Sequence, residues 1–535
     1  MDKVDIEILD TTLRDGAQGE GIVFSLRDKL AVTEALDELG VTWIEAGSPW
    51  SNPKDLEYFR QANSIKLVNS KLCAFGSTRK KGIKAQDDAQ LRSLLDAGTQ
   101  GVVVFGKSWD LHVKEVLQAA EQENIDMIAE TIAFFKKEGK TVIYDAEHFF
   151  DGWKANADYA LFTVKAAEQA GADRIVLCDT NGGSFPDEIS AALQDVINAL
   201  PNVTQNASLG IHAHNDCGLA LANTITAVQA GCTHVQGTLV GFGERCGNAS
   251  LASLIPSLEL KLGYNCLPKG KLVRIGEITR RIAEIANVIL SDDMPYIGAH
   301  AFSHKGGMHV DGVLKNARSF EHVYPADVGS KRHLLLSEVG GRSAIVDKVK
   351  KIDPSVTKDH PAVVSLAEKL KKLEAQGWAY EGADASFEIL IRQELAAAGS
   401  LAPYKPHFSI VAYRVLSEHP TPENIACSHA WVKVLVDGQH EIAAAEGVGP
   451  VGALDCALRR ALSRFFPALE KARLEDYKVR VIDGKEATNA YVRVLIESTD
   501  GQQTWNTVGV SADIIDASRA ALVDSIEYML MMTAD

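Results

Sequence analysis

The first half of the chain repeats one pattern of apolar and polar positions. A stretch with helical spacing ends in glycine, and a nearly continuous, β-branched apolar run follows within a few residues. A glycine just after a helix supplies a left-handed C-terminal cap, and continuous apolar runs are typical of strands buried on both faces. The pattern therefore predicts alternating helices and parallel strands. Its instances are LDELGVTWIEAG, LLDAGTQGVVVFG, KKEGKTVIYDAE, EQAGADRIVLCD and VQAGCTHVQGTLV.

Three further runs of strand character complete the pattern. They are VDIEILD, KLCAFG and SLGIHAH, which bring the number of predicted strands to eight by about Val240. Eight strand–helix units in roughly 260 residues match a (β/α)₈ TIM barrel, and this α/β fold is our prediction. A doubly wound parallel sheet has the same local pattern and stays open as the alternative.

The rest of the chain predicts two further regions. We expect a TIM-barrel catalytic domain over 1–265, mostly helical linker subdomains over 266–404 and a separate α/β domain over 405–535. The last region contains an internal repeat, in which each copy reads as two strands followed by an amphipathic helix. Within the first copy, GVGPVG matches a dinucleotide-binding pattern, but a lone match is weak and a tight turn opening a helix explains it better.

Amino-acid composition limits the cellular compartment and the classes of binding partner that we expect for the protein. Apolar residues make up 46% and charged residues 24% of the 535 positions, which is typical of a globular protein with a large core. The eight cysteines form neither a CxxC pair nor a dense cluster, and no apolar run has the length of a signal peptide or a membrane span. With a net charge of −16, we expect a cytoplasmic protein without nucleic acid or a membrane as partner.

Polar side chains recur where the predicted strands end. In a TIM barrel, the chemistry collects at the C-terminal rim, where each strand runs into the following loop. Glu45, at the second strand, is expected to support a neighbour or to cap a helix. The ionisable or polar residues at the other strand ends are Arg14, Asp15, Asp145, Glu147, His148, Asp179, Thr180, His212, His214, Glu244, Arg245 and Asn248.

Two of these residues predict a metal site. His212 and His214 lie two positions apart on a predicted strand, so their side chains point to the same face. Closure of the barrel brings the first, seventh and eighth strand ends together, where Asp15 and Asn248 complete a mixed oxygen and nitrogen set. Such a set suits a divalent cation. The alternative is a pair of buried histidines that bond to the backbone.

The motifs LDTTLRDGAQ, GIHAHNDCGLALANT and GFGERCGN together closely resemble a known enzyme family. It comprises the metal-dependent isopropylmalate, homocitrate and citramalate synthases, with hydroxymethylglutaryl-CoA lyase as a cousin. The resemblance implies that Arg14 neutralises an oxyanion and binds substrate, that Glu147 assists acid–base chemistry and that Thr180 holds the carboxylate of a 2-oxo acid. The metal ligands that it implies are Asp15, His212, His214 and Asn248.

The resemblance also implies a reaction. Family members condense acetyl-CoA with a 2-oxo acid and hydrolyse the thioester, using one divalent metal ion, here expected to be Mg²⁺ or Mn²⁺ with Zn²⁺ as an alternative. The segments SPWSNPKDLEYF, DAEHFFDGWKAN and LCDTNGG are most similar to members that use pyruvate on a route to isoleucine. We therefore expect acetyl-CoA and pyruvate as substrates. The alternatives are 2-oxoisovalerate or 2-oxoglutarate as acceptor, and a carbon–carbon lyase.

A histidine-rich segment after the barrel, 297–316, reads as a loop that covers another element. By resemblance it supplies a catalytic His309 with Asp311 as its partner. Some relatives have a tyrosine shortly afterwards, where this chain has Phe320 and then Tyr324. The resemblance further implies a homodimer, in which the loop 297–320 serves the neighbouring barrel, with action on its own barrel as the alternative. It also implies an amino-acid effector, isoleucine, bound by 405–535.

Overall fold

The computed structural model of the chain describes residues 3–200, 207–334, 341–380, 382–418, 427–482 and 490–534. These residues form two compact units. The first contains the described residues within 1–302 and 323–332, and the second contains those within 303–322 and 333–535.

The first unit contains a closed barrel of parallel strands. Strand order follows the chain, and β1 pairs with β8, with Asp10 opposite Gly237. This closure confirms the TIM barrel and excludes the doubly wound sheet. The strands are β1 Glu7–Asp10, β2 Trp43–Glu45, β3 Lys71–Ser77, β4 Gly101–Lys107, β5 Thr141–Glu147, β6 Arg174–Asp179, β7 Ser208–Ala213 and β8 His234–Gly237.

Helices follow the strands, and local signals set their ends. The first begins at a capping box, in which Ser25 and Asp28 bond each other's backbone N–H groups. It ends at Gly40, whose φ of 94° is left-handed and whose position has no room for a side chain beside Pro268. The α-helices of this unit are Leu26–Leu39, Pro53–Ala62, Ala89–Asp96, Glu121–Lys137, Phe149–Ala155, Ala157–Gln169, Pro186–Ala199, Ala220–Gln229, Leu251–Pro256 and Ile275–Ile285.

Successive side chains of each strand point alternately into the barrel and toward the helices, so the apolar core has an inner and an outer part. In β4, Val103 packs inside the barrel with Leu9 and Ile143, whereas Val102 packs outside against the helices. The chain after residue 265 continues this core, because Ile275 of the last helix is fully buried in it. The domain limits at 265 and 404 remain predictions.

The second unit ends in the predicted repeat. Two antiparallel three-stranded sheets each precede a helix, so each copy has one more strand than the sequence pattern predicts. The GVGPVG segment opens a helix at Pro450, as expected of a tight turn. The sheets are β11 Ser409–Glu418, β12 Cys427–Val436 and β13 Gln439–Gly447, then β14 Arg473–Val481, β15 Val492–Thr499 and β16 Thr504–Ser511, with helices Pro450–Leu462 and Ile514–Ala534.

The segment expected to be a loop with a catalytic histidine contains a helix, Gly307–Lys315. The loop prediction is wrong here because Val310 and Val313, three positions apart, are both buried and supply an apolar helix face. The remaining elements of this unit are β9 Ser303–His304, β10 His333–Leu334 and helices Gly341–Val349, Pro361–Ala375 and Asp384–Ala397. Among the described residues, no helix is both long and apolar enough to cross a membrane.

Candidate metal centre and active site

Three of the four predicted metal ligands converge at the C-terminal rim of the barrel. Asp15 follows β1, His212 lies in β7 and His214 follows it, and all three are buried. Asp15 Oδ2 is 3.2 Å from His212 Nε2 and 3.6 Å from His214 Nε2. Their potential ligand atoms all lie within 4.8 Å of one another. Strand alternation and barrel closure therefore bring these groups together as the sequence predicts.

The polar atoms at this point fit a cation. Asp15 Oδ2, His214 Nδ1 and Asn248 Oδ1 are buried and have no hydrogen-bond partner. Asn248 is bridged to His214 through the backbone, and its amide nitrogen donates to the carbonyl of Phe242 at 3.0 Å, which leaves Oδ1 available. A buried polar atom without a partner costs free energy. A divalent ion that accepts oxygen and nitrogen ligands would remove that cost.

Charge and burial in the cluster favour the ligand forms of Asp15 and His214. Burial opposes ionisation of Asp15, but Arg14 and His212 outweigh it and hold the pKa of the carboxyl well below its usual range. Burial, together with the charge of His212, lowers the pKa of His214 to about 4. Asp15 is therefore an anion and His214 a neutral imidazole at neutral pH.

A chain of buried hydrogen bonds orients His212. Gln236 of β8 donates from Nε2 to Asp145 Oδ1 at 2.8 Å, and its Oε1 lies 2.9 Å from His212 Nδ1. An amide oxygen only accepts, so the Nδ1 proton lies in this bond. Nε2 faces Asp15. Burial opposes protonation of the ring, but the Asp15 carboxyl outweighs it and raises the pKa of His212. Nε2 would become a metal ligand on loss of its proton. Burial and the nearby Glu45 raise the pKa of Asp145 to about 7.

Arg14 is held on three sides. Its Nε donates to Glu45 Oε2 at 2.6 Å, its Nη1 is 3.4 Å from Asp15 Oδ1, and the guanidinium lies 3.8 Å from the centroid of the Phe75 ring. Thr11 also donates to Glu45, whose side chain is fully buried. Glu45 thus supports Arg14, one of the two roles expected for it.

Glu147 and Thr180 lie at the ends of β5 and β6. Glu147 forms an ion pair with Lys107, a residue at the end of β4 that the sequence analysis did not select. The position of Lys107 at the end of a predicted strand is the feature of the sequence that could have identified it. The hydroxyl of Thr180 accepts a hydrogen bond from the backbone N–H of His148 at 2.9 Å, so its own proton is free to donate elsewhere.

Most of these side chains line one cavity of about 270 Å³. A larger cavity of about 570 Å³ shares Arg14, Gln18, Phe75 and Phe105 with it, so Arg14 lies at the junction of the two. The smaller cavity, here called the metal-site cavity, is lined among others by Arg14, Asp15, Glu147, Thr180, His212 and His214.

His309 and Asp311 belong to the second unit. His309 is exposed and stacks on Phe320, with ring centroids 4.2 Å apart. Asp311 forms ion pairs with Lys315 and Lys358. Because the two residues are two positions apart on a helix, they occupy different faces, which weakens the expected pairing between them. Their catalytic roles stay predictions.

Comparison with known proteins covers nearly the whole chain. Family models match residues 5–289 (HMGL-like), 296–377 (homocitrate synthase post-HMGL domain-like) and 381–530 (LeuA allosteric (dimerisation) domain). An HMG-CoA lyase of Bacillus subtilis, among the solved structures, is 20% identical, with a TM-score of 0.47 over 54% of this chain and 97% of that chain.

Curated relatives match over their full length. The (R)-citramalate synthase of Aquifex aeolicus is 47% identical, covering 98% of both chains. That of Synechocystis sp. is also 47% identical, covering 99% of this chain and 97% of the relative. The chain therefore belongs to the family of the (R)-citramalate synthases, which combines an HMGL-like barrel with a LeuA allosteric (dimerisation) domain.

Proposed function

We propose that the protein is an (R)-citramalate synthase, which condenses acetyl-CoA with pyruvate and hydrolyses the thioester to give (R)-citramalate and CoA. One observation carries this proposal: five curated relatives that are 43–47% identical over 98–99% of the chain bear that name. This favours pyruvate over 2-oxoisovalerate and 2-oxoglutarate as acceptor, and condensation over the carbon–carbon lyase reaction.

Asp15, His212, His214 and Asn248 would hold a divalent metal ion, for which Mg²⁺ or Mn²⁺ is our first choice and Zn²⁺ the alternative. Such an ion supplies Lewis acidity to the carbonyl of a 2-oxo acid. The unpartnered, buried atoms of Asp15, His214 and Asn248 support this assignment. Thr180, whose hydroxyl proton is free, donates to the carboxylate of pyruvate.

Arg14 acts between the two substrates. It lines both the metal-site cavity and the larger cavity, so we place pyruvate in the first and the acetyl thioester in the second. A guanidinium held by Glu45 is preorganised to stabilise negative charge on oxygen during the reaction. It keeps its charge at any pH at which the enzyme works.

The condensation requires two proton transfers, and the hydrolysis consumes one water molecule. A methyl proton of acetyl-CoA passes to a base, the methyl carbon forms a bond to C2 of pyruvate, and the resulting alkoxide takes up a proton. Water then cleaves the thioester and releases the CoA thiol. We assign acid–base roles to Glu147, which lines the metal-site cavity, and to His309, because histidine is the side chain that most often acts as a general acid or base.

The C-terminal part of the chain is proposed to regulate the activity of the barrel. The match to a LeuA allosteric (dimerisation) domain supports a homodimer whose residues 405–535 bind an amino-acid effector. Because citramalate is a branched-chain precursor in the family's route to isoleucine, we propose isoleucine as that effector.

The test is release of CoA thiol from acetyl-CoA with pyruvate, 2-oxoisovalerate and 2-oxoglutarate in parallel. We expect the highest kcat/KM with pyruvate and identification of the product as (R)-citramalate by chiral chromatography. If pyruvate is the poorest acceptor, the substrate assignment is wrong. Cleavage of hydroxymethylglutaryl-CoA without any condensation would instead establish the lyase alternative.

A further inference from the structure

An exposed tryptophan lies at the rim of the barrel, in the segment between β2 and the helix Pro53–Ala62. The side chain of Trp50 is 49% exposed, although it lines the larger cavity. The ammonium group of Lys80 lies 5.0 Å from the centroid of its ring. A cation at this distance from an indole is attracted by the ring quadrupole. A large aromatic surface thus lies partly in solvent beside a positive charge.

These two residues adjoin cavities that connect to the reaction site. The larger cavity extends from Arg14 and Phe75 to Trp50. A third cavity, of about 180 Å³, includes Lys80 in its lining and shares Phe105 with the other two and Ser77 with the larger one. A ligand that reacts beside Arg14 can therefore extend along the rim to Trp50 and Lys80.

The third cavity is basic in a chain with a net charge of −16. Its cations are Arg79, Lys80, Lys81 and Lys107. Arg79 is neutralised by Glu123 and Glu130 and Lys107 by Glu147. Lys80 and Lys81 are exposed, and no ion pair to a carboxylate is present for either among the described residues. The Lys81 ammonium donates to the carbonyl oxygen of Gln118, and the Lys80 ammonium lies over the Trp50 ring. An ammonium has three N–H donors, so each can also bind an anion.

We propose that Trp50 and Lys80 bind the 3′-phospho-ADP end of acetyl-CoA. The indole stacks on the adenine, while Lys80, with Lys81 beside it, binds the phosphates. This rests on the proposed function insofar as acetyl-CoA is the acyl donor. A base offers a flat π-face to an aromatic side chain, and lysine binds phosphate as a point charge. The pantetheine arm then follows the larger cavity to Arg14.

The experiment compares acetyl-CoA with acetyl-pantetheine, which has the same thioester but lacks the nucleotide. Trp50→Ala and Lys80→Ala are each expected to lower kcat/KM for acetyl-CoA by about tenfold through a raised KM, the size of a lost stacking or phosphate contact. Activity with acetyl-pantetheine should stay within about twofold of wild type, because that substrate never reaches these residues. The matched control is Lys66→Ala, at an exposed lysine that lines none of the three cavities. It should leave activity with both substrates unchanged.

Equal losses with both substrates, or no loss with acetyl-CoA, would overturn the inference. Calorimetric titration of each variant with CoA, without a 2-oxo acid, separates the two proposals. If the wild-type protein binds no CoA, the proposed function fails and this inference fails with it. If the wild type binds CoA and both variants bind it equally tightly, only the nucleotide site is wrong.

Discussion

Gln236 Oε1 lies 2.9 Å from Nδ1 of His212, and this contact fixes which ring nitrogen faces Asp15. Gln236 is itself oriented by its bond to Asp145, so a carboxyl, an amide and an imidazole form one buried chain from β5 to β7. Partners of this kind fix the tautomer of a metal-binding histidine, and their loss typically lowers metal affinity by about ten- to a hundredfold.

Replacement of Gln236 by leucine, which has a similar volume, should weaken metal binding. The His212 ring loses the acceptor for its Nδ1 proton and is free to turn. We expect the Mn²⁺ affinity to fall by about ten- to a hundredfold, measured by electron paramagnetic resonance titration. Circular dichroism checks that the variant folds. Wild-type affinity in a folded variant would show that the Gln236 contact does not position a ligand.

The Arg14–Glu45 contact predicts that lysine cannot replace arginine at position 14. A lysine keeps the charge but lacks the Nε–H that bonds Glu45, and it cannot maintain the same contact with the Phe75 ring. We expect Arg14→Lys to lower kcat by roughly a hundredfold in the CoA-release assay. Arg27→Lys, at an exposed position of the helix that follows, is the control and should retain full activity. A fully active Arg14→Lys enzyme would show that a positive charge suffices at this position and that the Glu45 contact is not required.

Phe105 is expected to limit the size of the acceptor. It stacks on Phe75 with centroids 5.1 Å apart and lines the metal-site cavity, whereas the guanidinium of Arg14 lies over the Phe75 ring. Phe105→Ala should therefore enlarge the cavity and leave Arg14 in place. The ratio of kcat/KM for 2-oxoisovalerate to that for pyruvate should rise by about tenfold. Phe162→Ala, at an exposed phenylalanine, is the control and should leave the ratio unchanged. An unchanged ratio in Phe105→Ala would show that the side chain of the 2-oxo acid does not lie beside Phe105.

His309 is predicted to act on the barrel of a second subunit. His309→Ala and Arg14→Ala should each be inactive alone. If sites are shared in a dimer, co-expression of the two variants with different tags should restore about a quarter of wild-type activity, because half of the dimers then contain one intact site. Size-exclusion chromatography establishes that mixed dimers form. Mixed dimers without activity would show that His309, if catalytic, serves its own barrel.

Isoleucine should bind the full-length protein and inhibit it. Titration calorimetry with isoleucine is expected to give a saturable heat, and leucine, which differs only in the branching of its side chain, should bind at least about tenfold more weakly. Initial-rate kinetics with pyruvate and acetyl-CoA then measure the inhibition. If neither amino acid gives a heat of binding, both are excluded as effectors.

The sequence alone predicted the barrel because its signals are local. Gly40 ends a helix and Ser25 begins one whatever the rest of the chain does, and a continuous apolar strand has to be buried on both faces. The candidate metal cluster was predictable for a related reason. The period of two in a strand places His212 and His214 on one face, and ring closure brings Asp15 beside them.

Contacts across the barrel required the tertiary structure. Asp145, Gln236 and His212 lie on strands whose inward-facing residues meet only at one particular strand register and stagger, which no local pattern specifies. The same holds for Lys107 and Glu147 on neighbouring strands.

The sequence thus determined the elements, their order and the ligand types, because helix caps, strand periodicity and side-chain chemistry depend on near neighbours along the chain. Only the fold decided that Glu45 holds Arg14, that Trp50 meets Lys80, and that His309 lies on a helix rather than in a loop. Those outcomes depend on which distant apolar surfaces become buried together, and burial is a property of the whole packed chain.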